Sequence, residues 1–204
     1  MKKLLLLVLL IVGSLIAQSE QSNIRLIGGI SYSNIAGNDF KNAYGSPPDN
    51  LLGYKFGIES EPSSDLIIGI SYTDRGFSIN ESLNEASIEL NWKVSYLTGY
   101  LIKSIPMQSL DILIGAEIGY FRNAIVKIEA CDGDNCEDDS ENYDVKDWDN
   151  LDNNMFDFGP VIGFRYPVSE TIFLNGTYYS GLVVWNSYQD TINRGFQFYL
   201  SFAL

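Results

Sequence analysis

The sequence predicts an all-β protein: an eight-stranded antiparallel up-and-down transmembrane β-barrel that follows an N-terminal signal peptide. Three observations predict it. Apolar residues recur at every second position in eight segments, the period of a strand with one apolar face. The connections between those segments alternate between short and long. Only 19% of the residues are charged while 13% are aromatic, a poor match to a surface that meets water all round.

The first element is the leader. Met1-Lys2-Lys3, the apolar run Leu4 to Val12, and the small residues Gly13, Ser14 and Ala17 supply the charged, apolar and small regions of a signal peptide. We divide the chain accordingly into a signal peptide, 1–17, and a barrel domain, 18–204. No later stretch of about 18 apolar residues follows, so any membrane crossing falls to strands.

Along the domain, the alternating apolar residues are Leu26, Ile30 and Tyr32; Leu52, Tyr54, Phe56 and Ile58; and Leu66, Ile68, Ile70 and Tyr72. The fourth and fifth segments follow with Ile88, Leu90, Trp92, Val94, Tyr96, Tyr100 and Ile102, then Leu110, Ile112, Ile114, Ala116, Ile118 and Tyr120. Phe156, Phe158, Ile162, Phe164 and Tyr166 make the sixth, Ile172, Leu174 and Tyr178 the seventh, and Phe196 to Leu204 the eighth. Tyr32, Tyr72, Trp92, Tyr100, Tyr120 and Tyr166 sit near segment ends, like the aromatic girdles of membrane barrels. Connections near 60–65, 104–109 and 167–170 are short, and those near 33–50, 75–86, 129–152 and 184–193 are long. Pro160 falls inside the sixth segment, where it lacks a ladder N–H, so a bulge or a strand that pairs mainly beyond it is expected.

The opposite face carries isolated charges of both signs: Arg25, Lys55, Glu59, Arg75, Glu89, Lys93, Glu117, Asp157 and Arg165. Between them stand Gln197 and the glycines 53, 57, 69, 99, 115, 119, 159 and 163. A soluble eight-stranded barrel would turn a Lys- and Glu-rich face to water. This glycine-rich face suits a narrow, side-chain-filled interior instead. A Lys or Arg facing lipid at mid-membrane costs about 2–4 kcal/mol, which explains why the apolar face carries none. Desolvated charges persist when paired, so the expected interior is an ion-paired plug, and the alternative is a narrow pore or small-solute channel.

Residues 129–152 stand apart, with 11 of the chain's 26 acids and one base, Lys146. Cys131 and Cys136 lie among them, bracketing Asp132-Gly133-Asp134-Asn135, and an exported chain meets an oxidising compartment, so a disulfide is expected. Asp132, Asp134, Asn135, Glu137, Asp138 and Asp139 are hard oxygen ligands at close spacing, candidates for Ca2+, although the spacing is not that of an EF-hand. The plainer reading is a solvated acidic loop.

The absence of His removes the commonest general base and the usual activator of a Ser or Cys nucleophile, so an enzyme is not expected, nor any resident cofactor. A formal charge of −13 argues against a nucleic-acid partner.

The second half also resembles a family. Phe156-Asp157-Phe158-Gly159 with Gly163, the glycine-rich Asp111 to Tyr120, Thr177-Tyr178-Tyr179-Ser180-Gly181-Leu182, and Asn193 to Leu204 are similar to strands of the PorT-type outer-membrane barrels of Bacteroidota-like bacteria, themselves eight-stranded and OmpA-like. Thr177 stands where that family often has Arg, the fourth strand lacks the usual Glu-x-Pro start, and the chain ends without a terminal aromatic. The resemblance implies a barrel in the outer membrane of a Gram-negative bacterium, inserted by the barrel-assembly machinery. It implies no activity. The expected partners are outer-membrane lipid and an unidentified surface partner, with the chain itself monomeric.

Overall fold

The computed structural model describes residues 23–37, 48–83, 86–132, 135–150, 154–184 and 191–204. The signal-peptide segment, 1–17, lies outside the described residues. Among the described residues, nine strands and one short helix follow in order: β1 (Asn23–Ala36), β2 (Asp49–Ser63), β3 (Leu66–Leu83), β4 (Ala86–Pro106), β5 (Asp111–Asp132), β6 (Asn135–Tyr143), α1 (Val145–Asn150), β7 (Phe156–Pro167), β8 (Ile172–Ser180) and β9 (Ile192–Ala203). Every pairing is antiparallel, and the order β4-β3-β2-β1-β9-β8-β7-β5 closes through β4–β5 into a ring of eight. Closure leaves no free sheet edge in the ring.

β5 is the pivot of this topology. Its first half, Asp111 to Tyr120, pairs with β7, and its second half, Ala124 to Asp132, pairs with β6, while β4 runs along both. The switch falls at Arg122, an extra residue between the pairs Tyr96–Phe121 and Ser95–Asn123. A bulge of this kind shifts side-chain parity by one, so Phe121 and Ala124 both face inward and are fully buried. A membrane needs about 9–11 residues per tilted strand. β3, β4 and β5 have 18, 21 and 22, so they continue past the ring as hairpins. Two of the long connections expected from sequence are therefore mostly strand: Leu83 pairs with Ala86, and Asp132 with Asn135.

Side-chain placement follows the pleat. Leu52, Tyr54, Phe56, Ile118, Phe158, Ile162, Phe196 and Phe198 all face outward and are exposed. Outward rings stack across strands, as in Phe56–Tyr72, Tyr120–Phe156 and Tyr178–Phe196. Pro160 keeps its pairing with β5, opposite Ala116, while the β7–β8 ladder runs from Val161 to Pro167. The β8 ladder thus lies beyond the proline, while before it the Phe158 carbonyl accepts from the Leu182 N–H at 2.8 Å.

β4 corrects the sequence reading. Its even-numbered residues, Val94, Tyr96, Thr98, Tyr100 and Ile102, are buried inside the barrel, and Leu101 and Ile105 are exposed outside. The ladder from Leu66–Lys103 to Leu83–Ala86 has no break, so Glu89 and Lys93 share the outward face. They are not lumen charges, Gly99 is not a lumen glycine, and Tyr100 and Trp92 are not girdle residues. Both faces of this strand are apolar in its ring portion, which removes the contrast that periodicity needs.

Candidate functional site: an ion-paired lumen beneath an acidic hairpin

Inward-facing charges gather into two groups, each with two bases and two acids. The first lies mid-barrel. Arg75 on β3 donates to Glu117 on β5 and, at 2.5 Å, to Asp157 on β7, while Lys55 on β2 lies 3.4 Å from the other Glu117 oxygen. Lys55 also donates to Gln197 Oε1 at 2.5 Å, and Asp157 accepts from Tyr179 at 2.7 Å and Asn193 at 3.0 Å. The second group sits toward the short-turn end. Arg165 donates to Glu59 at 2.7 Å and also pairs with Glu61, which pairs in turn with Arg25. Asn175 and Tyr100 complete it, accepting from Arg165 at 2.8 Å and donating to Glu59 at 3.1 Å respectively.

Aromatic faces line the cations. Arg75 lies 3.8 Å from the Tyr179 ring centroid, Lys55 4.8 Å from that of Tyr100 and 4.9 Å from that of Tyr199, and Arg25 4.4 Å from that of Phe173. Burying an unpaired charge costs several kcal/mol, so charges taken out of water need this density of partners. Within each group the formal charges cancel.

Buried apolar side chains form two further clusters. Ile27, Ile67, Ile102, Leu113, Val161 and Tyr199 form one cluster. At the hairpin end Ile35, Phe77, Ile79, Val94, Phe121 and Ala124 form another, on which Leu90, Trp92, Tyr143, Val145 and Met155 pack. That second cluster lies at the end of the ring from which the hairpins rise.

Of the sequence-predicted lumen charges, Arg25, Lys55, Glu59, Arg75, Glu117, Asp157 and Arg165 are buried here. Glu61 joins them and was missed in a connection, though its spacing of two from Glu59 places it on the same face. Asp74 was also missed. It lies on the outward face two residues beyond Tyr72, in contact with Ser95 and Lys93.

Above the mouth, β5 and β6 form the acidic hairpin. Cys131 and Cys136 are directly opposite each other, Cα atoms 4.1 Å apart, and joined by a disulfide. Strand alternation puts Asp132, Asn135, Glu137 and Asp139 on one face of the hairpin and Asp138 on the other, opposite Glu129. Asp134 lies outside the described residues. The six candidate Ca2+ ligands are therefore not gathered into one shell. Among the described residues the one compact group of potential ligands is Glu129, Cys131 and Cys136, whose sulfurs are already bonded to each other. α1 follows with a reciprocal cap: Asp144 accepts from the N–H groups of Lys146 and Asp147, and Asp147 accepts from that of Asp144. The Asp147 and Lys146 N–H groups hold the Asp144 carboxyl below its ordinary range.

Reduction of this disulfide is expected to loosen the hairpin alone. A six-residue ring contributes about 2 kcal/mol by chain entropy, and the ring of eight strands closes without it. Hydrogen exchange should rise over 124–143 and stay unchanged at Asp111 to Tyr120; loss of protection throughout β5 would contradict this.

A closed ring of eight antiparallel strands with bulky apolar side chains on its outward face defines a small up-and-down β-barrel. Solved structures share the fold, among them the following two. Neisserial surface protein A aligns with 91% of this chain and all of its own, at 11% identity and a TM-score of 0.54. Ail, the attachment invasion locus protein of Yersinia pestis, solved with the heparin analogue sucrose octasulfate, aligns with 90% of this chain and 99% of its own, at 13% identity and a TM-score of 0.50. Both are eight-stranded outer-membrane barrels. No family model matches the chain, and neither does any curated protein sequence.

Proposed function

We propose that the chain is a non-enzymatic, monomeric outer-membrane barrel of a Gram-negative bacterium, with a closed lumen and an acidic, disulfide-pinned hairpin that meets partners at the cell surface. A signal peptide at 1–17 and insertion by the barrel-assembly machinery belong to this reading, and so does kinship with the PorT-type barrels. The filled lumen carries it. Two neutral ion-paired groups and an apolar cluster occupy the axis that a pore would need, and the outward face offers lipid a continuous apolar belt. The hairpin acts through its field. Eleven acids over 24 residues attract cationic partner surfaces and a diffuse atmosphere of divalent ions without a chelating shell.

Planar-bilayer recording tests the closed lumen against the narrow-pore alternative. Refolded protein should insert and give no discrete conductance steps at neutral pH. Reproducible single-channel steps would replace this reading with transport. Protease shaving of intact cells with and without Ca2+ tests the hairpin: cleavage within 129–152 is expected, and full protection would place the hairpin elsewhere.

A further inference from the structure

The wall formed by β1–β5 carries a groove of about 450 Å3, whose lining includes Gly29 and the lumen cation Lys55. Its two ends differ in chemistry. Tyr54, Phe56 and Tyr72 make an aromatic wall, with Phe56 and Tyr72 stacked at 5.2 Å, and Gly28 is the floor. A Cβ placed at Gly28 would meet no atom within 4 Å, so the depression there is open space. Toward the hairpins the lining adds the polar residues Asp74, Lys93, Ser95 and Asn123 beside Ile125.

The polar end is built. Asp74 is buried although it faces outward, and its two oxygens accept from Ser95 Oγ at 2.7 Å and from the Tyr54 N–H at 3.4 Å. Tyr72 donates to Asn123 Oδ1 at 3.0 Å. Lys93 is anchored only loosely, 4.0 Å from Asp74, and 35% of its side chain is exposed. An ammonium at the edge of an aromatic belt, above an open apolar channel, complements an amphiphile with an anionic head. It sits where the outward face changes from apolar to polar, the level of lipid headgroups.

We propose that this groove seats one phosphorylated lipid of the outer leaflet, with an acyl chain over Gly28 against Phe56 and a headgroup phosphate at Lys93. The proposal rests on the membrane reading above. The test uses the full chain, refolded and incubated with hexa-acylated, bis-phosphorylated lipid A, and counts retained lipid by native mass spectrometry. Wild type should retain one lipid A and discriminate against its dephosphorylated form. Lys93→Gln should weaken retention about tenfold, as loss of a charge-assisted contact does. Gly28→Phe, whose Cβ meets no atom within 4 Å, puts a ring into the channel and should abolish retention, while the heat-dependent gel shift of a folded barrel persists. Equal retention by both variants overturns the proposal. So does wild-type protein that inserts into phosphatidylethanolamine bilayers yet retains no lipid A. Protein that folds in water and never inserts overturns the membrane reading as well.

Discussion

Glu117→Gln is expected to destabilise the barrel by about 3–5 kcal/mol, the usual cost of leaving buried charge without its partner. Glu117 is the one acid that touches both Lys55 and Arg75, so its neutral isostere leaves Arg75 with Asp157 and Lys55 with no carboxylate in contact, only the Gln197 amide oxygen. Gln keeps the volume, which separates the electrostatic loss from a cavity. Urea unfolding of vesicle-inserted protein, followed by Trp fluorescence, measures it. Adding Arg75→Met removes one of the two cations, and the double variant should recover part of the loss. A loss under about 1 kcal/mol, the worth of a solvated pair, would mean that water reaches the group and that the lumen is open.

Gly163→Val is expected to prevent folding. A Cβ there would lie 2.2 Å from the Gly176 carbonyl oxygen and 2.8 Å from the Thr177 Cα, both backbone atoms of the paired strand β8. Overpacking against side chains costs typically about 1–3 kcal/mol, and backbone cannot rotate away as a side chain can, so the loss should exceed that range. Gly99→Val is the matched control. A Cβ at Gly99 meets only Ile118 Cγ2, at 3.9 Å, on the outward face. Val at 99 should stay within about 1 kcal/mol of wild type, with any shift toward greater stability because Val suits an exposed strand face. Refolding yield by gel mobility reads both. Equal failure of the two variants would put Gly99 back inside the barrel.

That control isolates what was legible in the sequence. Seven of the eight ring strands can be placed with the correct face outward, because each sets bulky apolar residues against glycines and isolated charges, as Tyr54, Phe56 and Ile58 alternate with Lys55, Gly57 and Glu59. β4 defeats that logic. In the ring it has Tyr96, Tyr100 and Ile102 on one face and Leu97, Leu101 and Ile105 on the other, so hydrophobicity cannot choose. Above the ring the rule also inverts. There the outward face meets water and takes Glu89 and Lys93, while Leu90, Trp92 and Val94 pack inward as in a soluble core. The bulge at Arg122 flips β5 at the same level, and a single inserted residue leaves no compositional trace. Tertiary contact alone reveals the two neutral groups, since partners such as Arg75 and Asp157 are 82 residues apart.

The most direct test of this account is oxygen accessibility of single spin labels placed along β4 from Val94 to Lys103, in a Cys131→Ser, Cys136→Ser background inserted into lipid vesicles. We predict a two-residue period in which labels at 97, 99 and 101 meet lipid-dissolved oxygen while those at 96, 98, 100 and 102 are shielded. High accessibility at the even positions would contradict the register of β4 and the closed lumen built on it, and uniform exposure to an aqueous quencher would contradict membrane insertion.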